Sequence, residues 1–211
     1  MQSRKKLRIK VCGMRDPQNM ELLCALSPEY VGFIFYKQSK RFVGSRPDPA
    51  LFTIPGPHIK KVGVFVNEER KQVRKAIKEY GLDAVQLHGG ESTDYCRSLS
   101  GEALELIKVV DPGGNLKDME NYNGVVDYLL FDSAGEGRGG TGRKFDWKLL
   151  EELPAGPPFF LSGGIGPDDA EAICNLELDA MMGVDVNSRF ELSPGVKNME
   201  SLKKFITEIR K

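Results

Sequence analysis

The sequence predicts an α/β protein, a single (β/α)8 barrel of parallel strands. Three observations carry that expectation. Strand-like and helix-like segments alternate from one end of the chain to the other. The strand-like runs are short, apolar and bounded by turn residues, as expected of strands buried on both faces. Eight such runs occur, each followed by something helix-like, and right-handed crossovers between parallel neighbours close them naturally into a barrel. An open doubly wound sheet needs no eighth unit, and the GxGxxG fingerprint after the first strand is missing. No linker or low-complexity stretch divides the 211 residues, so the expectation is one barrel domain over 1–211, with 1–7 a short N-terminal extension.

Residues 9–13 (IKVCG) read as the first strand. Asp16-Pro17 then supplies an N-cap and an N1 proline for a helix running through Leu26. Residues 30–36 (YVGFIFY) are the second strand, and the proline-rich stretch 37–57 leaves room for a short helix at best. Residues 61–67 are the third strand, followed at 68–80 by Val73, Ala76, Ile77 and Tyr80 at helical spacing, with Gly81 as a C′ residue. Residues 84–88 are the fourth, then Gly89-Gly90 and a helix containing Tyr95 and Leu99. Residues 104–110 are the fifth, with only a short helix possible at 116–122. The sixth, 128–131, ends at Asp132 and enters a loop containing Gly135, Gly137, Gly139, Gly140 and Gly142, after which Asp146 is placed to cap a helix at 148–153. Residues 159–162 are the seventh, running into Gly163-Gly164-Ile165-Gly166, and Pro167-Asp168-Asp169 opens a helix. Residues 180–186 are the eighth, and the final helix at 199–209 sets Leu202, Phe205, Ile206 and Ile209 on one face.

Composition narrows the partners. Apolar residues at 40% and charged residues at 28% are ordinary globular values. Thirty basic side chains balance thirty acidic ones, so no net field draws the protein to nucleic acid or to an anionic membrane. Cys12, Cys24, Cys96 and Cys174 are scattered without a CxxC pair, which argues against a zinc site and a disulfide framework. Residues 1–8 are basic with no apolar core behind them, unlike a secretory signal. No apolar run nears the roughly 18 residues of a membrane span. A cytoplasmic protein, monomer or homodimer, without nucleic-acid or membrane partners is the expectation.

In such a barrel the active site lies at the C-terminal strand ends, where Cys12, Arg41, Asn67, Gln86, His88, Asp111, Asp132, Ser162 and Asp185 fall. Cys12 ends a strand beside Gly13 and so points to the mouth, whereas the other three cysteines lie in helices as core fillers. Asn67 reads as a helix cap, and Gln86 and His88 read equally as hydrogen-bonded rim residues or as part of a site. Asp132, beside the glycine loop, is a site carboxylate or a loop brace. Gly163-Gly164 and Asn187-Ser188 follow the seventh and eighth strands, where many barrels bind phosphate, and the loop around Gly140 lies near. A phosphorylated small molecule is the expected ligand. No Asp, Glu and His cluster points to a metal, and Lys10 and Lys108 lie within strands rather than at their ends.

Taken together, KVCGM at 10–14, GFIFY with SKR at 32–41, VGVFVN at 62–67, VQLHG at 85–89, LFD at 130–132, GGTG with FDW at 139–147, LSGG at 161–164 and GVDV at 183–186 resemble the phosphoribosylanthranilate isomerase family. The likeness covers nearly the whole chain in order. It implies a TIM barrel of tryptophan biosynthesis that needs no cofactor. The implied reaction is the Amadori rearrangement of N-(5'-phosphoribosyl)anthranilate, an aminoaldose, into an aminoketose. By position, Cys12 would be the general base and Asp132 the general acid. Arg41 would hold the anthranilate carboxylate, Asp185 would lie near the amine, and the loops of Gly140, Gly163, Gly164, Asn187 and Ser188 would bind phosphate. Arg189 stands where relatives usually have glycine, either as an extra cation for the phosphate or turned outwards, and Lys37-Gln38 replaces a proline-bearing loop.

The chemistry makes demands on both residues. A free aspartate titrates near pH ~3.9, so an acid role needs that value raised, and the apolar approach at 129–131 is compatible with desolvation. A free cysteine titrates near ~8.5, leaving only a few per cent of thiolate at neutral pH. Other phosphosugar barrels fit less well. A pentose-phosphate epimerase wants several metal-binding His and Asp residues, and only His58 and His88 exist here. An indole-glycerol-phosphate synthase relies on catalytic lysine and glutamate and usually has an added N-terminal segment. A non-catalytic phosphate-binding barrel would require neither Cys12 nor Asp132.

Overall fold

The computed structural model describes residues 6–99, 101, 104–114, 116–132, 144–151 and 153–211. The glycine-rich loop expected after the sixth strand, Gly140 included, lies outside them. Eight parallel strands close into a barrel in chain order: β1 (Arg8–Cys12), β2 (Tyr30–Ile34), β3 (Lys60–Phe65), β4 (Ala84–Leu87), β5 (Glu105–Val110), β6 (Tyr128–Phe131), β7 (Phe159–Leu161) and β8 (Met181–Val186). Closure comes from β8 pairing with β1, with Arg8 opposite Gly183 and Val11 opposite Val186. This is the TIM-barrel fold that eight β/α units predict.

Around the barrel run α1 (Pro17–Cys24), α2 (Ala50–Thr53), α3 (Arg70–Tyr80), α4 (Thr93–Leu99), α5 (Ala170–Cys174) and α6 (Met199–Ile209). The connections after β5 and β6 contain 3-10 turns, Leu116–Tyr122 and Trp147–Leu150, in place of full helices. Asp146 caps the second as expected, accepting from the Lys148 amide at 3.1 Å. Helix α1 stops at Cys24, short of the expected Leu26, because Ser27 takes φ of 51° and Pro28 cannot continue a helix. Asn67 does not cap α3, which starts at Arg70 behind Glu69. Its φ is 50°, and its Oδ1 accepts from the Gly90 amide at 2.7 Å, tying the loop after β3 to the loop after β4. A small antiparallel hairpin, β9 (Glu191–Ser193) and β10 (Val196–Lys197), sits between β8 and α6 and was not expected.

Side chains two apart on a strand share a face, so every second residue enters the barrel. Tyr30, Val62, Ala84, Ile107, Leu130 and Phe160 fill its centre, with Tyr30 and Tyr128 edge-on to Phe160 at 5.4 Å. Burying a ring of this size contributes roughly 1.5–3 kcal/mol. Polar contacts close the N-terminal end below them: Arg8 donates to the hydroxyls of Tyr30 and Tyr128 at 3.0 and 2.9 Å, and Lys60 meets Glu105 at 2.6 Å. Leu7, expected in an extension, is already buried in the core. The second, larger core lies between sheet and helices, where α6 presents Leu202, Phe205, Ile206 and Ile209 as its periodicity predicts. With the centre plugged, the cavity inside the ring of strands opens at its C-terminal end. No helix among the described residues is long and apolar enough to cross a membrane.

Candidate active site

A solvent-open cavity occupies the C-terminal mouth. Cys12, Arg41, Asp132, Gly163, Gly164, Asp185, Asn187 and Ser188 all line it, so the structure gathers residues from β1 and β8 and from the segments after β2, β6, β7 and β8. Gln86, His88 and Ser162 line it too. Arg189 does not; it is exposed on the 3-10 turn Ser188–Phe190. Asp111 is likewise exposed, its Oδ1 accepting from the Gly113 amide at 2.9 Å, away from the cavity lining.

Cys12 is 4% exposed at the end of β1. Its neighbour in register is Gly32 on β2, and a Cβ there would stand 2.8 Å from the Cys12 sulfur. Burial pushes the thiol above its ordinary value, with the nearby Lys10 and Lys197 charges opposing and Asp185 adding. Lys10 is two residues back on the same face, fully buried, and its Nζ donates to Asp185 Oδ1 at 2.9 Å. Burial works against that ammonium, but Asp185 and Cys12 outweigh it and Lys10 stays charged. Burial also raises the Asp185 carboxyl, against the pull of Lys10 and with a push from Asp132. The pair therefore places a cation beside the thiol at the price of two desolvated charges.

Asp132 follows β6, and its Oδ2 lies 3.5 Å from His88 Nε2. Gln86 Nε2 approaches His88 Nδ1 at 3.1 Å, on the side of the ring away from Asp132. Beneath this loop Lys108 Nζ donates to Glu91 Oε2 at 2.9 Å and to the Gly89 carbonyl at 2.7 Å, while Glu91 accepts from the Asn67 and Gly89 amides. Burial alone would raise the Glu91 carboxyl, but Lys108 overrides it and holds it below the usual range. Both strand lysines are thus spent in buried ion pairs.

In the loop after β7, Gly163 and Gly164 take φ of 85° and 70°, which only glycine adopts without strain. Their missing side chains leave the backbone open to the cavity. Arg41 enters from the loop after β2, but its guanidinium is engaged: Nε and Nη2 donate to both oxygens of Glu191 at 2.7–2.9 Å. Glu191 and its partner Lys197 are functional candidates that sequence reasoning missed. The Ser193-Pro194-Gly195 turn signal between them, where Gly195 has φ of 88°, was the available clue to a hairpin.

A family model for N-(5'-phosphoribosyl)anthranilate (PRA) isomerase matches residues 9–208. The chain belongs to the phosphoribosylanthranilate isomerase family. An N-(5'-phosphoribosyl)anthranilate isomerase from Parabacteroides distasonis is 45% identical over 205 residues, covering 95% of this chain and 92% of the relative. The crystal structure of the Thermus thermophilus phosphoribosyl anthranilate isomerase superposes with a TM-score of 0.84 at 27% identity, covering 96% of this chain and 98% of that one. Another solved isomerase, in complex with reduced 1-(o-carboxyphenylamino)-1-deoxyribulose 5-phosphate, superposes at 0.75 with 30% identity and the same coverage.

Proposed function

We propose that this barrel isomerises N-(5'-phosphoribosyl)anthranilate to 1-(o-carboxyphenylamino)-1-deoxyribulose 5-phosphate with Cys12 as general base and Asp132 as general acid. The observation that carries the reading is that both side chains, from different walls of the barrel, line the same cavity as Arg41 and the Gly163-Gly164 and Asn187-Ser188 loops. A carboxylate-bearing, phosphorylated small molecule matches those two ends of the cavity, the guanidinium taking the carboxylate and the loops the phosphate.

Asp132 gives its proton to the furanose ring oxygen. The C1′–O4′ bond breaks as the anthranilate nitrogen lone pair forms the C1′=N bond of a protonated Schiff base. The Cys12 thiolate then takes the C2′ proton, and the released pair forms C1′=C2′ while the C=N electrons return to nitrogen. The enolamine loses its O2′ proton and gains one at C1′, giving the ketone. Burial makes the thiolate scarcer than in free cysteine but a stronger base when it forms, and the Lys10 ammonium offsets part of that scarcity. His88 Nε2 lies 3.5 Å from the carboxylate that Asp132 becomes after giving up its proton.

Purified protein incubated with freshly made phosphoribosylanthranilate tests the reaction, and binding without turnover would favour a sensor instead. The division of labour is tested by Cys12→Ser and Asp132→Asn, each expected to lower kcat by at least ~10²-fold. With C2′-deuterated substrate, the isotope effect should grow in Cys12→Ser, where proton abstraction limits, and shrink in Asp132→Asn, where ring opening limits. Near-wild-type turnover in Cys12→Ser ends the assignment of the base, and equal isotope effects in both variants refute the two-step division.

A further inference from the structure

The β9–β10 hairpin carries a buried chain of charge along the cavity wall. Glu191 opens β9 and accepts three bonds from Arg41: Nε at 2.8 and 2.9 Å to its two oxygens, and Nη2 at 2.7 Å. From the other side Lys197 Nζ donates to Glu191 Oε1 at 2.8 Å, and the Gly195 amide donates to the same oxygen at 3.1 Å. Lys197 also donates to Asn187 Oδ1 at 2.6 Å, so one carboxylate ties the arginine of the β2 loop to the phosphate-side loop after β8. The side chains are 13% exposed for Arg41, 5% for Glu191 and 0% for Lys197.

The arginine stem is held as well as its head. A Cβ on Gly13 would stand 2.8 Å from Arg41 Cδ and 3.0 Å from Asn187 Oδ1, and Gly13 has φ of 81°. Only glycine therefore lets β1, Arg41 and Asn187 converge here. A guanidinium is a planar fork with two edges suited to a carboxylate. Glu191 takes the Nε/Nη2 edge, and none of its bonds uses Nη1.

We infer that Glu191 is a positioning residue that fixes the Arg41 guanidinium so its Nη1/Nη2 edge receives the substrate carboxylate, with Lys197 anchoring Glu191. The inference rests on the proposed reading of Arg41 as the carboxylate holder. A guanidinium already locked in one plane loses less rotamer freedom on binding than a free one. The role of Glu191 is in binding, since it reaches neither reacting carbon through Arg41.

The test is a double-mutant cycle on turnover of phosphoribosylanthranilate by wild type, Arg41→Ala, Glu191→Gln and the double variant, each checked for folding by thermal unfolding. Glu191→Gln should raise KM about tenfold or more, the loss of a charge-assisted contact, while kcat stays within about threefold. In the Arg41→Ala background, Glu191→Gln should add less than about twofold, because the residue acts through Arg41. Glu191→Gln leaves Lys197 buried without its counter-charge, so Glu191→Gln/Lys197→Met repeats the cycle with that charge removed and the same expectation. Full additivity of the KM effects, an unchanged KM in Glu191→Gln, or a fall in kcat alone would overturn the inference. A wild-type KM in Arg41→Ala would overturn the Arg41 reading and the inference with it, whereas an impaired Arg41→Ala beside a normal Glu191→Gln overturns the inference alone.

Discussion

Gly32→Ala puts the placement of the base to a geometric test. Gly32 pairs with Cys12 across β1 and β2, and its ideal Cβ stands 2.8 Å from the sulfur, 3.1 Å from the Cys12 Cα and 3.3 Å from its Cβ. Ordinary contact begins near ~3.5 Å, so the sulfur must retreat by ~0.7 Å, and the backbone of β1 must give by a smaller amount. Gly32 has no positive φ, so alanine meets no backbone penalty there and the effect is one of space alone. Overpacking of this kind costs about 1–3 kcal/mol of stability, visible in urea unfolding. The catalytic effect should be larger in proportion, because a misplacement near 1 Å costs a reacting pair up to ~10²-fold. We expect kcat to fall at least tenfold toward that limit, the C2′ deuterium isotope effect to rise, and affinity for a product analogue to hold, since the groups assigned to carboxylate and phosphate lie on other loops. A folded Gly32→Ala enzyme with kcat within about twofold of wild type and an unchanged isotope effect would refute Cys12 as the base in this geometry.

Two further outcomes follow from the same cavity and its supports. Arg189 is exposed and outside the cavity lining, so Arg189→Gly should change affinity for a phosphate-bearing product analogue by less than about twofold at low salt, and a larger loss would restore the arginine as a phosphate cation. Glu91 is held below its ordinary value by Lys108; a depressed carboxyl adds stability that is present above the ordinary ~4.3 and lost as pH falls through the lowered folded-state value. Glu91→Gln should therefore cost about 3–5 kcal/mol at pH 7, by stranding buried Lys108. Its unfolding free energy should also fall less steeply than wild type in acid, and equal slopes would show that Glu91 titrates normally.

Much of the site was legible before any coordinates. Cys12, Asp132 and Asp185 could be placed because strand ends in a parallel barrel share one rim, and Gly163-Gly164 because the loop after the seventh strand opens on that same rim. Lys10 was seen as a strand residue without a task; its partner Asp185 lies 175 positions away and is brought opposite by the β1–β8 closure. Asn67 was misread because a polar residue before a helix usually caps it, while here the fourth-strand loop competes successfully for its side chain.

What the sequence determined by itself was the number and order of the barrel strands, the amphipathic face of α6 and the rim on which the candidate site residues gather. Those follow from local periodicity and turn residues, which act over a few positions. Tertiary structure alone decided that Arg41 answers to Glu191, that Lys197 is buried beneath both, and that Arg189 is exposed outside the cavity lining. These depend on which distant charges are desolvated together, and a buried charge takes the partner that barrel closure brings within hydrogen-bond reach, whatever its distance along the chain.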